Sequence, residues 1–260
     1  MTTTTARPTV IKLGGSTLGA HDTSLRDIAA ARREGRPIVV VHGGGATISA
    51  WLSRAGIQPR FVSGLRVTDE ASLEIVVAVL AGLVNKTLVA ELSALGAPAI
   101  GLSGADSMLL QARRFDDELG YVGQVVRVNP YAVEELLRLG HLPVIAPIAI
   151  ESDGKQLLNT NADTAAGELA AALKAERLVF LTDVEGVLDE QKRLLPRLNA
   201  GEARALIERG TAAGGMIPKL EAAIRAAAAG CATHVVDGTR ESALASVFAG
   251  EDQGTTLSLR

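Results

Sequence analysis

Lys12 interrupts an otherwise apolar run, Val10-Ile-Lys-Leu-Gly-Gly15. The β-branched Val10 and Ile11 read as a short buried strand, and the two glycines end it. A lysine in such a strand either runs its alkyl stem out to solvent or meets an anion. The glycines behind it let backbone N–H groups approach a ligand with no Cβ in the way. Lys219 poses a related problem at the end of Thr211-Ala-Ala-Gly-Gly-Met-Ile-Pro-Lys219. It falls in the first turn of an alanine-rich helix, where the macrodipole disfavours a cation, and an anion nearby is the cheapest compensation. Asn159, Asn161 and Asp163 alternate in Asn159-Thr-Asn-Ala-Asp163. They are either a capping cluster for the following helix or, by strand alternation, three groups aimed into one cleft. Arg66, in Gly64-Leu-Arg-Val-Thr-Asp69, is either a solvated neighbour of a helix cap or a fork for a carboxylate. The turn His42-Gly-Gly-Gly45 and the acidic loop Asp183-Val-Glu-Gly-Val-Leu-Asp189 each follow a strand. The first is a tight turn or a ligand cradle; the second is a plain turn or a holder of ribose, base or metal–phosphate.

The elements that position these residues alternate between apolar strands and helices. Strands are expected at Val10–Leu13, Ile38–Val41, Ala97–Leu102, Leu142–Ala149, Arg177–Thr182, Ala232–Val236 and Thr255–Leu259. Helices are expected from about Asp22 to Arg33, Ala46 to Gly56, near Glu70 to Leu95, Asn129-Pro130 to about Leu139, Thr164 to Lys174, Asn199 to Arg209 and Glu241 to Phe248, with an alanine-rich helix around Lys219 that ends at Gly230. Phe61–Thr68 reads as extended, and Met108–Arg113 with Gly123–Val128 as a hairpin-like excursion. Thr68 or Asp69 can cap the long helix, whose wide apolar face (Leu73, Val76, Val77, Leu80, Leu83, Val84) implies burial, with a second subunit as one possible cover. Two strand–glycine–helix units in succession place both glycine turns at the carboxyl ends of neighbouring parallel strands, where ligands bind in open α/β sheets.

Composition narrows the classes. The 260 residues, 47% hydrophobic and 21% charged, suit a sizeable soluble enzyme of one large domain or two lobes. A net charge of −3 without a basic block argues against nucleic acid or an anionic membrane as partner. A single cysteine, Cys231, excludes an internal disulfide and fits a reducing cytoplasm. No apolar run is expected to reach membrane-spanning length, and the first eight residues lack the pattern of a secretory signal. Two common nucleotide motifs do not apply: Ile48 stands where a dinucleotide fingerprint needs its third glycine, and no Gly-Lys-Ser/Thr occurs.

Eight segments occur in the order seen in the acetylglutamate kinases, a branch of the amino acid kinase superfamily. They are Lys12-Leu-Gly-Gly, His42-Gly-Gly-Gly, Gly64-Leu-Arg-Val-Thr-Asp, Gly82-Leu-Val-Asn-Lys-Thr, Gly101-Leu-Ser-Gly, Asn159-Thr-Asn-Ala-Asp, Leu181-Thr-Asp-Val-Glu-Gly-Val-Leu-Asp and Gly214-Gly-Met-Ile-Pro-Lys. The resemblance covers nearly the whole chain from Val10. It implies a three-layer αβα sandwich around a mostly parallel sheet, in two lobes: 1–172 for N-acetyl-L-glutamate and dimerisation, 173–260 for ATP. The implied reaction phosphorylates the γ-carboxylate of N-acetyl-L-glutamate in arginine biosynthesis. Lys12 and Lys219 would stabilise the transferring phosphoryl group and Asp163 would orient both. Gly14 and Gly15 would face the phosphate. Gly44 and Gly45 would offer amides, Arg66 would grip the α-carboxylate, and Asn159 would hold the amino-acid portion. Asp183, Val184, Glu185, Gly186, Val187 and Leu188, with Thr211, Ala212 and Ala213, match the nucleotide-facing segments. Mg2+ would travel with ATP, with no protein ligand assigned.

This chemistry needs no histidine or cysteine nucleophile, because an ionised carboxylate attacks without a base. Other readings are a sister kinase for carrier-protein-linked aminoadipate or glutamate, marked by basic residues around the acyl pocket, and a catalytically silent binding module. The arginine-inhibited hexamers of the family carry an additional N-terminal helix. Here nine residues precede Val10 and Thr2–Thr5 are poor helix formers, so the expectation is a homodimer insensitive to arginine. A nitrogen-signalling protein partner leaves no trace in the sequence.

Overall fold

The computed structural model describes residues 6–14 and 23–259. Its strands, in chain order, are β1 (Thr9–Leu13), β2 (Ile38–His42), β3 (Phe61–Val62), β4 (Leu65–Arg66), β5 (Ala99–Ser103), β6 (Leu110–Arg114) and β7 (Gly123–Val128). They continue with β8 (Leu142–Ala146), β9 (Ile148–Glu151), β10 (Leu157–Asn159), β11 (Arg177–Thr182), β12 (Arg197–Asn199), β13 (Ala232–Asp237) and β14 (Thr255–Ser258). Eight of them form one sheet in the order β12-β14-β13-β11-β1-β2-β8-β5. Every pairing in it is parallel except β13 with β14. This is the mostly parallel α/β sandwich expected.

The period-2 alternation of buried strands sorts the core into two layers. Val10, Val39, Val41, Leu178 and Phe180 pack on one face, against the helices Ala162–Ala172 and Met216–Ala228. Ile11, Leu13, Val40, Val179 and Leu181 pack on the other, against Ser24–Arg33, Asn85–Ala94 and Ala243–Ala249. Lys12 shares the parity of Val10. Its side chain therefore leaves β1 on the face covered by the Ala162–Ala172 and Met216–Ala228 helices.

Two expectations are corrected here. The run Leu142–Ala149 is two strands, because Pro147 cannot donate to a ladder and ends the first. β8 stays in the large sheet, while β9 crosses into a second sheet of order β10-β9-β6-β7, whose β6–β7 hairpin is the expected excursion. The second correction concerns length. Glu70–Ala94 forms a single 25-residue stretch that is long and apolar enough to cross a membrane by length and composition. Its buried residues Leu73, Val76, Leu80, Leu88 and Leu92 hold it on the core instead. Asp69 caps it, accepting from the Ser72 N–H at 2.8 Å, and Ala78–Val84 relaxes into π-helical geometry around Gly82.

Phe61–Thr68 is tighter than an extended segment. It folds into the β3–β4 hairpin, closed by Ser63 and Gly64 at φ 49° and 80°. The helix expected from Asp22 is described from Ser24 to Arg33, and Asp22 lies outside the described residues. The boundary expected at 172/173 falls where the Ala162–Ala172 helix ends, and the large sheet runs unbroken across it.

Candidate active site

β1, β2 and β11 run parallel and in register, so the turns that follow them gather at one edge of the sheet. At that edge Lys12 Nζ lies 2.8 Å from Asp163 Oδ1, and Lys219 Nζ lies 3.0 Å from Asp163 Oδ2. The three side chains are 10%, 14% and 7% exposed for Lys12, Lys219 and Asp163, so two ammonium groups share one carboxylate in a nearly dry corner. Local structure explains each placement. Asn161 caps the Ala162–Ala172 helix, accepting from the N–H groups of Asp163 and Thr164 at 2.8 and 3.1 Å. Asp163 thereby enters the first turn, where the macrodipole favours a carboxylate. Lys219 is in the first turn of Met216–Ala228, behind a Pro218 that a first turn tolerates. Asp163 and the Gly215 carbonyl, 3.2 Å away, offset its unfavourable dipole. The helices approach closely because residue 167 is glycine: a Cβ there would sit 2.7 Å from that of Ala222.

The expected strand alternation through Asn159, Asn161 and Asp163 gives way to a division of labour. The strand ends at Asn159, Asn161 becomes the cap, and Asp163 is helical. The capping reading describes Asn161, while Asn159 lines the adjoining pocket and Asp163 meets the two lysines.

Beside this corner, Gly43, Gly44, Gly45, Arg66, Asn159 and Asn161 line a pocket of about 190 Å3. Its apolar wall comes from Ile48, Leu65, Leu80, Val122 and Pro147. The first turn of the Gly45–Arg54 helix opens on it, a position suited to an anion. Arg66 is 8% exposed, with Nη2 donating to the Gly45 carbonyl and to Ser49 Oγ, both at 2.9 Å. Its guanidinium carbon lies 4.7 Å from the Phe61 ring centroid. Arg66 Nη1 is buried with no protein partner, and burial holds the guanidinium below its ordinary pKa. A carboxylate oxygen accepting from Nη1 would relieve both conditions.

His42, under the glycine turn, is 1% exposed. Burial pushes its pKa down to about 4, so the ring is neutral at physiological pH. Nδ1–H faces the Gly43 carbonyl at 2.9 Å, leaving Nε2 to accept from Asn85 Nδ2 at 3.1 Å. The Asn85 amide also donates to the Val144 carbonyl at 2.9 Å, and any side chain at Gly101 would collide with it. Asn85 thus ties the long helix to the base of the glycine turn. No local signal at position 85 announced that role.

The remaining expected site residues divide. The Gly14 N–H donates to the Leu181 carbonyl at 3.2 Å, which carries the strand pairing one residue past Leu13. Gly15 lies outside the described residues. Asp183, Val184 and Glu185 follow β11 at the same sheet edge as Lys12 and are exposed, as is Leu188. Gly186 is buried, and Val187 turns its side chain into the core while its N–H donates to Thr255 Oγ1 at 2.8 Å. Of the second segment, Ala212 packs into the same core and Ala213 is exposed. Thr211 reaches back to Glu190 at 3.5 Å, which joins the two segments. Val187 and Ala212 therefore have no side chain free to touch a ligand. Cys231 is 2% exposed with its thiol pushed up to about 12, so it supplies no nucleophile at neutral pH.

Comparison with known proteins agrees with this geometry. The model of the amino acid kinase family matches residues 7–237. The chain is 44% identical to the acetylglutamate kinase of Dehalococcoides mccartyi, over 99% of this chain and 96% of that one. It is 48% identical to that of a Synechococcus species, over 92% and 86%. Among solved structures, smu.665 from Streptococcus mutans UA159 superposes with a TM-score of 0.83 at 30% identity, covering 97% of this chain and 98% of that one. The chain belongs to the amino acid kinase family, and within it to the acetylglutamate kinases.

Proposed function

We propose that this protein transfers the γ-phosphoryl group of ATP to the γ-carboxylate of N-acetyl-L-glutamate, giving N-acetyl-L-glutamyl 5-phosphate and ADP in the second step of arginine biosynthesis. The observation that carries this reading is the pair of lysines sharing Asp163 beside a pocket whose buried arginine keeps one donor unpartnered. A carboxylate oxygen attacks the γ-phosphorus as the bond to the ADP oxygen breaks, and no proton need move. Negative charge spreads over the equatorial oxygens of the migrating group. Lys12, from β1, and Lys219, from the helix that covers it, meet that charge as preorganised donors stabilise an oxyanion. Asp163 holds both ammonium groups at fixed positions before substrate arrives.

In this reading Arg66 holds the acceptor's α-carboxylate, Asn159 its amino-acid portion, and the amides of Gly44 and Gly45 the reacting end. Residues 1–172 serve the acceptor and residues 173–260 the nucleotide, through the exposed Asp183–Glu185 and Leu188 and the turn at Thr211 and Ala213. Mg2+ would enter with ATP, carried largely by phosphates and water, with no protein ligand assigned. The protein works in the cytoplasm, and a second copy covers the exposed Leu83 side of the long helix, making a homodimer.

ADP release, measured by a coupled assay with N-acetylglutamate, N-acetylaspartate, glutamate and aspartate, tests the reading. Turnover should be confined largely to N-acetylglutamate. Equal turnover of free glutamate, or none with any of the four, would overturn it.

A further inference from the structure

Thr68 belongs to neither wall of the acceptor pocket, yet it touches both of that pocket's polar anchors. Its side chain is wholly buried, and its hydroxyl has one neighbour on each side. Oγ1 donates to the Arg66 carbonyl at 2.9 Å and accepts from Asn159 Nδ2 at 3.1 Å. The direction of this relay is forced. A carbonyl only accepts, so the single hydroxyl proton goes to Arg66, and Oγ1 can take only a donor from Asn159. Asn159 must therefore turn its NH2 toward Thr68, which fixes the orientation of an amide that could otherwise flip.

The backbone of Thr68 is as firmly placed as its side chain. Its N–H donates to the Leu119 carbonyl at 3.0 Å, and its carbonyl accepts from the Tyr121 N–H at 2.7 Å. Gly120 permits this approach, since a Cβ there would lie 2.5 Å from the Thr68 carbonyl oxygen. The Asn159 N–H in turn donates to the Tyr121 carbonyl at 2.9 Å. Three segments remote in sequence, β4, the 119–122 turn and β10, meet at this one residue.

We infer that Thr68 is a positioning residue for acceptor specificity, its hydroxyl setting the Asn159 amide and the Arg66 backbone in the one mutual arrangement that fits the acceptor. This rests on the acceptor reading of the pocket. Lys12, Asp163 and Lys219 lie outside the relay, so its loss should weaken acceptor binding and leave phosphoryl transfer alone.

Thr68→Val keeps the shape and removes the hydroxyl; Thr68→Ser keeps the hydroxyl and removes the methyl group. In the full-length protein, Thr68→Val should raise KM for N-acetylglutamate by about tenfold or more, with kcat and KM for ATP within about threefold of the parent. Thr68→Ser should return KM to within about threefold of the parent. In the double variant with Asn159→Ala, Thr68→Val should add little to the KM of Asn159→Ala alone. An unchanged acceptor KM in Thr68→Val, a parallel rise in the ATP KM, a serine variant as impaired as the valine one, or fully additive effects would each overturn the inference. If the valine variant does not fold, Thr68→Ala removes the same hydroxyl under less steric demand and is judged by the same criteria. A parent protein inactive on N-acetylglutamate would instead overturn the reading of the pocket itself.

Discussion

At the lysine corner each charged group finds its partner within the protein, whereas in the neighbouring pocket Arg66 keeps a buried N–H without one. The two regions also stand on different supports. Two helices of eleven and thirteen residues, in contact at Gly167 and Ala222, carry Asp163 and Lys219. Arg66 lies on a two-residue strand of a short hairpin. In the proposed reading the corner is preorganised for charge that appears only during reaction, while the pocket holds an unmet demand that a bound acid would satisfy. Catalysis and recognition are thereby separable, and substitutions in the two regions should separate kcat from KM.

The largest effect should come from the corner. Lys219→Ala is expected to lower kcat by about 10²–10³ with the fold intact; steady-state kinetics beside a thermal melt checks this, and half the parental turnover would break the contrast. Arg66→Ala should raise KM for the acceptor about 10–100-fold, the loss of a charge-assisted contact, with a much smaller change in kcat. A rise in the ATP KM instead would mean that the pocket serves the nucleotide.

Stability should depend on pH through two histidines, the buried His42 beneath the pocket and the half-buried His234 remote from it. His42 and His234 both have pKa values lowered by burial from 6.5 to about 4. The unfolded chain therefore binds protons that the folded chain refuses, and stability falls as pH drops from about 6.5 toward 4. Each group should cost about 2 kcal/mol by pH 5. Urea melts at pH 7 and 5 measure this, and His234→Asn should remove about half of the loss. Gly167→Ala should cost about 1–3 kcal/mol, because a Cβ 2.7 Å from the Ala222 Cβ and 2.8 Å from its Cα pushes the two helices apart, and better helix propensity offsets only part of that. Its sharper readout is kcat, which should fall if the helix contact sets the distance from Asp163 to Lys219.

Sequence legibility followed the range of the interaction. Lys12 stood out because a cation in an apolar strand is locally anomalous, and Lys219 because its place in a helix opposes the dipole. Asn199 was legible as a cap, and it forms a capping box with Glu202. The run Leu142–Ala149 reads as one strand by its apolarity alone, and Pro147 within it is where the two sheets part. Asn161 and Asp163 share an alternating pattern that strand and cap geometries both satisfy, and only the helix start decides between them. Asn85, Gly167 and Thr68 were silent in their new roles. Each acts on a partner far along the chain, His42, Ala222 and Asn159, and such contacts leave no periodicity in the sequence.

The position of β1 has a consequence for how the molecule comes into being. Its two neighbours are β2, about thirty residues downstream, and β11, whose first paired residue is Arg177. A nascent chain released before that point would display the strand bearing Lys12 as a raw margin, open to adhesion with other chains. β1 is flanked on both sides only once β11, more than 160 residues further on, has been made, so assembly should be slow, and catalytic competence should arrive late.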